Sequence, residues 1–322
     1  MSLSPPPDAA RPTVLTLSNG IKVRTFAPPA DFDPLTADDD TLLRNGFPAR
    51  PAEGPQLDRF TQVLKQLSGR LHYIQPTLQV NADRFHGPRR GLGQAQAGTD
   101  TSTSWSGGVV FAPRGQSFSW VQGDWTIPNV AAPTENQWYY SASWIGIDGY
   151  GGRDVCQAGI ACEAYRTSSG TVARNMFPWL EWAPAAEVQI TNFPVDYGDF
   201  ITAIVCAGPA PDATNAAVYF TNRTTGAYTS LNFTAPAGTF LEGNCAEWIV
   251  EAPLVDGQQS AMADYGQVSF TSCQAYLGAT RTTVDAGTGT SINMVDSNNT
   301  TVSAGTLVGA TGVLCQYVGT LP

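Results

Sequence analysis

Beyond Trp105, apolar and polar positions follow one another in short alternating or continuous runs, broken every few residues by Gly, Asn, Asp, Ser or Pro. Such runs predict strands over Ser117 to Ile127, Trp138 to Ile147, Glu187 to Thr191, Phe200 to Cys206 and Ala217 to Asn222. Further strands are predicted over Tyr228 to Ala235, Ala246 to Glu251, Gly266 to Thr271 and Thr290 to Val295. Helical periodicity is nearly absent there. Many short strands with turn chemistry between them predict an all-β sandwich of two antiparallel sheets.

The first part of the chain has a different texture. Phe26-Ala-Pro-Pro, Phe32-Asp-Pro and Phe47-Pro-Ala-Arg-Pro break any regular period. Asn19-Gly20 lies between alternating apolar positions and predicts a hairpin over Thr13 to Arg24. Phe60, Val63, Leu64 and Leu67 recur at helical spacing and predict one helix within Leu57 to Leu71. A basic, small-residue linker runs from Gly87 to Gly98 and reads as a boundary. The expected organisation is a poorly regular N-terminal extension, residues 1–98, followed by a sandwich domain, residues 99–322.

Charge sharpens that division. Residues 1–98 carry eleven Lys and Arg against nine Asp and Glu, a net of +2, whereas residues 99–322 carry six against eighteen, a net of −12. His72, His86, Lys22 and Lys65, the only His and Lys, all lie in the extension. The sandwich therefore cannot build a His-assisted nucleophile, a His-ligated zinc or Schiff-base chemistry from its own residues. Its strong negative charge disfavours nucleic acid and suits an acidic medium. No run approaches the roughly 18 apolar residues of a membrane span, and the opening Met-Ser-Leu-Ser-Pro-Pro-Pro has no secretory signal pattern. Six cysteines, with no CxxC pair, read as extracellular disulfides; neighbours in sequence are the expected partners, Cys156 with Cys162, Cys206 with Cys245 and Cys273 with Cys315. Acceptor sequons occur at Asn222, Asn232, Asn298 and Asn299.

Candidate chemistry centres on Asn244-Cys-Ala-Glu-Trp-Ile-Val-Glu-Ala-Pro253. At strand period Glu247, Ile249 and Glu251 face one way and Trp248 and Val250 the other, giving an acidic face above a buried aromatic one. Two further stretches set tryptophan beside a carboxyl or amide group. They are Trp144-Ile-Gly-Ile-Asp-Gly149, continuing through Cys156-Gln157-Ala-Gly159, and Trp179-Leu-Glu-Trp182-Ala-Pro184. Together the three suggest the floor of a cleft.

These segments, with Trp105-Ser-Gly-Gly before them and Ala263-Asp-Tyr-Gly-Gln-Val-Ser-Phe270 after, resemble the eqolisins, the glutamic peptidases of fungi and some bacteria and archaea. The resemblance covers nearly all of residues 105 to about 275. It implies a concanavalin-like double sheet with a groove on its concave face, Gln157 and Glu247 as the catalytic pair, and substrate contacts at Trp105, Asp148, Gly149, Gly159, Trp179 and Glu181. Cys156, where fungal members commonly carry an apolar residue, and Ala183, where many carry Tyr, depart from the pattern, so specificity is not carried over.

The chemistry stands without the family. Peptide hydrolysis lacking His, metal and nucleophile needs a base for water, a donor for the oxyanion and an acid for the leaving amine. Glu247 can serve as base and then acid, and the Gln157 amide as donor. The reading is an acid-active, secreted endopeptidase acting on protein or peptide substrates as a monomer, with no metal, cofactor, nucleic-acid or membrane partner. Its rivals are a concanavalin-like carbohydrate hydrolase and a non-catalytic lectin-like module. The first would need cooperating carboxylates, and Ile249 stands where the glucanase-like Glu-x-Asp-x-Glu pattern has its Asp. Residues 1–98 are expected to act as a pro-segment, cut between about Arg89 and Thr103.

Overall fold

The computed structural model describes residues 13–51, 54–67, 69–89, 98–208, 210–285 and 287–319. Two antiparallel layers dominate. One follows the order Lys22–Thr25, Ala227–Thr234, Asn215–Asn222, Phe200–Ala207, Phe118–Thr126 and Gln267–Leu277. The other follows Leu78–Val80, Val188–Ile190, Val172–Trp182, Cys156–Arg166, Trp138–Ile147, Cys245–Glu251, Trp105–Phe111 and Gly289–Val295. Strand Gln267–Leu277 joins the layers. Residues Gln267 to Phe270 pair with Gly312–Tyr317, and from Thr271 onward, across an irregularity at Ser272 (φ 54°), it pairs with Phe118–Thr126 in the opposite layer.

Alternation decides what fills the space between the layers. Trp248 and Val250 enter the main core with Trp125, Trp182, Phe220 and Phe270, all buried. The Trp248 indole N–H donates to the Gln122 carbonyl at 2.8 Å, so its polar end is satisfied inside that core. Residues of the opposite parity form a second buried cluster on the other face of the second layer, including Trp105, Trp144, Trp179 and Ile249. The expected split of the Glu247 strand into an aromatic underside and an acidic upper face is thus present.

The extension threads around the sandwich. Its hairpin forms as expected, with Thr13 opposite Thr25 and Thr16 opposite Lys22, and continues the first layer at Ala227–Thr234. Helix Pro55–Leu67 matches the predicted helix, and a shorter one, Asp39–Arg44, begins at Asp38, whose carboxylate accepts the Thr41 N–H at 2.7 Å. Arg59 fixes the longer helix to the sandwich by a two-pronged contact with Asp124, 2.6 Å to each oxygen. Leu78–Val80 then adds an edge strand to the second layer, and Arg84–Phe85 pairs with Leu254–Val255.

Two expectations need correction. All six cysteines are free. Cys156 and Cys162 lie six residues apart on one strand, a span of roughly 20 Å that a disulfide cannot bridge. Cys206 and Cys245 lie on strands of different layers, and Cys245 belongs to the second cluster. Cys273 and Cys315, on neighbouring strands, are buried thiols. The sequon residue Asn222 is no sugar acceptor either. It is fully buried, donates to Asp199 at 2.7 Å and accepts from the Thr224 and Thr225 amides.

Candidate active site

Register places the candidate residues in rows across the outer face of the second layer. One row reads Glu181, Gln157, Gly146, Glu247 and Val109, each opposite the next on its neighbouring strand. The adjoining row reads Trp179, Gly159, Trp144, Ile249 and Gly107, and the third Phe177, Ala161, Ala142, Glu251 and Trp105. Gln157 and Glu247 therefore flank one residue, Gly146, with their strands about 9–10 Å apart. A Cβ at Gly146 would lie 3.1 Å from the Gln157 Cβ and 3.0 Å from Trp144 Cζ3, so a bare glycine keeps the space between amide and acid open. Gly159 is needed more strictly, since a Cβ there would come within 2.4 Å of the Trp144 Cβ.

Both members of the pair are fully buried. Glu247 Oε1 accepts from the Cys245 thiol at 3.0 Å, while among the described residues its Oε2 has no partner and Gln157 Oε1 is likewise unpartnered. Burial pushes the Glu247 carboxyl well above the usual carboxylate range, the Cys245 contact opposing this and the Asp148 charge adding to it. Burial also pushes the Cys245 thiol well up, which keeps it a donor. Two orphaned oxygens across a glycine are an invitation to a polar group neither strand supplies.

A segment of the extension lies along this row. The Gln157 Nε2 donates to the His86 carbonyl oxygen, and also to Glu181 Oε1 at 3.3 Å. The His86 N–H donates to the Glu181 carboxylate at 2.9 and 3.1 Å. Its ring stacks on Trp179, centroids 3.6 Å apart and planes 9° from parallel. Nε2 meets Glu187 at 2.7 Å and Nδ1 meets Glu251 at 3.2 Å. Burial alone would lower the imidazole pKa, but the bonds to Glu187 and Glu251 and their charges outweigh it and raise it to about 10. Glu181 moves up to about 8, chiefly through burial, with the His86 charge and N–H opposing. Arg84 anchors one side of the segment on Glu163 at 2.5 Å, and Arg89 the other, its N–H donating to the Gly149 carbonyl at 2.9 Å and its guanidinium meeting Asp100 at 3.1 Å.

The remaining expected contacts divide. Trp179, Glu181 and Gly149 touch the bound segment, and Gly159 makes room for the tryptophan floor. Trp105 packs edge-on against Trp144 at 4.9 Å within that floor. Asp148, at φ 67°, accepts three backbone N–H groups from Glu242, Gly243 and Asn244 at 2.6–2.9 Å, so it ties the loop leading into the Glu247 strand. Sequence reasoning missed His86, Glu187 and Cys245 as site residues. The sandwich lacks histidine of its own, yet the extension delivers one to the centre of the groove.

A tryptophan-floored groove with an amide and an acid set across a bare glycine, and a peptide lying along it, defines a sandwich shaped to hold extended polypeptide. The family model described as Peptidase A4 family matches residues 103–317, and the chain belongs to that family. Aspergillopepsin-2 of Aspergillus niger is 27% identical over 195 residues, which span 55% of this chain and 65% of that relative, just under two thirds of its length. Among solved structures, scytalido-glutamic peptidase with a transition-state analog inhibitor aligns at TM-score 0.56 and 23% identity, over 67% of this chain and 98% of that one. SCP-B, a member of the eqolisin family in complex with the tripeptide Ala-Ile-His, aligns at TM-score 0.51 and 21% identity, over 67% and 98%. These likenesses establish the double-sheet fold.

Proposed function

We propose that this chain is an endopeptidase that hydrolyses peptide bonds in acid with Glu247 and Gln157 as its working pair. The observation that carries the reading is the shared row: an unpartnered Glu247 oxygen and the Gln157 amide flank Gly146, and that amide already holds a peptide carbonyl. In a substrate, Glu247 Oε2 takes a proton from water as the water oxygen bonds the carbonyl carbon. The Gln157 N–H stabilises the oxyanion, and Glu247 returns the proton to the amine nitrogen as the C–N bond breaks. Cys245 holds the other Glu247 oxygen and so sets the carboxyl's rotation. Glu251 bonds the Trp144 indole N–H at 2.9 Å and Ile249 is buried in the floor, an arrangement that favours peptide over a carbohydrate mechanism needing two cooperating carboxyls. Denatured protein incubated with the acid-treated full chain tests the reading. Gln157→Glu and Gln157→Ala should each lower kcat about 100- to 1,000-fold with a smaller effect on KM; a purely KM effect would remove Gln157 from the chemistry.

Residues 1–98 act, in this reading, as a pro-segment whose Arg84–Arg89 stretch plugs the groove of a secreted, monomeric enzyme. The carbonyl of His86 takes the donor a substrate would need, and burial under the seated plug pushes the Glu247 carboxyl towards its protonated form, which is a poor base. Cleavage is expected between about Arg89 and Thr103, an interval of which residues 90–97 lie outside those described. Intact mass and peptide hydrolysis followed after a shift to acid should show cleavage and a lag before full activity. A chain that gains no activity on losing the segment would reduce it to a permanent extension.

A further inference from the structure

The plug reports more than inhibition, because it shows which side chain the groove accepts beside the bond it holds. This inference rests on the reading of Gln157 as the donor to the scissile carbonyl. On that reading the His86 carbonyl stands for the carbonyl to be attacked, Gly87 supplies the leaving nitrogen, and the His86 side chain occupies the pocket for the residue on the N-terminal side of the cut.

We propose that Trp179, Glu187 and Glu251 form a specificity pocket for a planar cationic side chain, so that the enzyme prefers peptide bonds following His or Arg. Three observations converge. Trp179 lies flat against the ring at 3.6 Å, a geometry that suits a planar cation over an indole face. Both ring nitrogens face carboxylates, at 2.7 and 3.2 Å, and a neutral imidazole has only one N–H to offer, so the pocket selects the imidazolium. The two carboxylates are themselves held: Glu251 by the Trp144 indole at 2.9 Å, and Glu187 by Asn81 at 2.5 Å. The Trp144 contact belongs to the sandwich and remains when the extension leaves. A guanidinium is also planar, cationic and donor-rich at its edge, whereas an ammonium is a point charge that cannot stack. An apolar or amide side chain would leave Glu187 and Glu251 buried without a cation.

The probes are peptides of the plug's own sequence, acetyl-Asp-Arg-Phe-X-Gly-Pro-Arg-amide, with X as His, Arg, Lys, Gln or Leu. With the acid-treated full chain, kcat/KM for His and Arg should exceed that for Gln and Leu by at least about tenfold. The Glu187→Gln, Glu251→Gln double variant should shrink that ratio to within about threefold, because it removes the charge and keeps the shape. A ratio near one in the unaltered protein, or a preference for Leu, overturns the pocket. Binding separates this failure from that of the peptidase reading. In full chain carrying Glu247→Gln and His86→Gly, tryptophan quenching should give the His peptide a Kd at least about tenfold below the Gln peptide; His86→Gln replaces His86→Gly if the latter does not fold. Discrimination in binding with no peptide hydrolysed overturns the peptidase reading and keeps the pocket, and equal binding overturns the pocket whatever the turnover.

Discussion

His86→Ala in the full chain should open the groove. The substitution removes a ring stacked on Trp179 and the cation between Glu187 and Glu251, leaving two buried carboxylates without a positive charge between them. The rise of the imidazole from 6.5 to about 10 corresponds to roughly 5 kcal/mol of preference for the charged form at about 1.4 kcal/mol per pH unit. Breaking a buried pair by deleting one partner costs about 3–5 kcal/mol, a consistent range. The plug should therefore open roughly 100- to 4,000-fold more often. Amide hydrogen exchange at pH 6 reads this directly, since the Arg89 N–H is held by the Gly149 carbonyl and the His86-position N–H by Glu181. Protection at both should fall by that factor while the Trp248 strand stays protected. Unchanged exchange in a folded variant would refute the claim that His86 locks the plug. The pH course has a definite sign. With its pKa raised, His86 contributes fully below 6.5 and lets go as pH rises through about 10. Glu181, raised to about 8, acts in the same direction, fully below 4.5 and lost as pH rises through about 8. Neither group releases the plug in acid.

Three further outcomes are expected. Glu247→Gln should abolish hydrolysis and leave the protein folded, and because it removes a carboxyl whose charged form burial penalises, its melting temperature should exceed the parent's at pH 9; residual near-normal turnover would end the mechanism. The unaltered full chain should lose stability as pH climbs from 5 to 9, since Glu181 and Glu247 both carry raised pKa values and favour the folded form when protonated, and unfolding measurements showing a steady gain with pH would contradict this. Gly146→Ala should cost about 1–3 kcal/mol of stability and lower kcat more than it raises KM, because the new methyl presses on the Gln157 Cβ; a purely KM effect would mean the gap between amide and acid is not used.

Much of this was legible from the chain, for reasons that mark where legibility stops. Alternation predicts half of the described strands from Gly98 onward and splits Trp248 from Glu247 correctly, because side-chain parity is a local property of a strand. Strands Cys156–Arg166 and Val172–Trp182 are among those it does not predict. Most of the first is buried on both faces, as is the second half of the other, and small residues such as Ala158, Gly159 and Ala161 break the hydrophobic signal. The cysteine pairing failed because pairing depends on which layer each strand joins, which sequence distance does not encode. Gln157 and Glu247 emerged through motif, but nothing local marks His86. It sits in Phe85-His-Gly-Pro88, an irregular stretch, and its partners lie 71 to 165 residues away.

The opposite charge balances of the extension and the sandwich, +2 and −12, take a specific form in the contacts. Arg59 meets Asp124, Arg84 meets Glu163, His86 meets Glu187 and Glu251, and Arg89 meets Asp100. A net of +2 over the whole extension is weak, yet each of these four cations is placed against an acid of the sandwich, and three of them fall within six consecutive residues. Long-range attraction at that net charge would be screened within about 8–10 Å in ordinary salt. Paired and mostly buried contacts are screened far less, so added salt should loosen the plug little. The acids that hold the plug belong to the sandwich and remain there when it leaves. On the proposed pocket, the carboxylates that seat the segment are the ones that would meet a substrate, which ties the seating of the segment and the choice of substrate to one set of side chains.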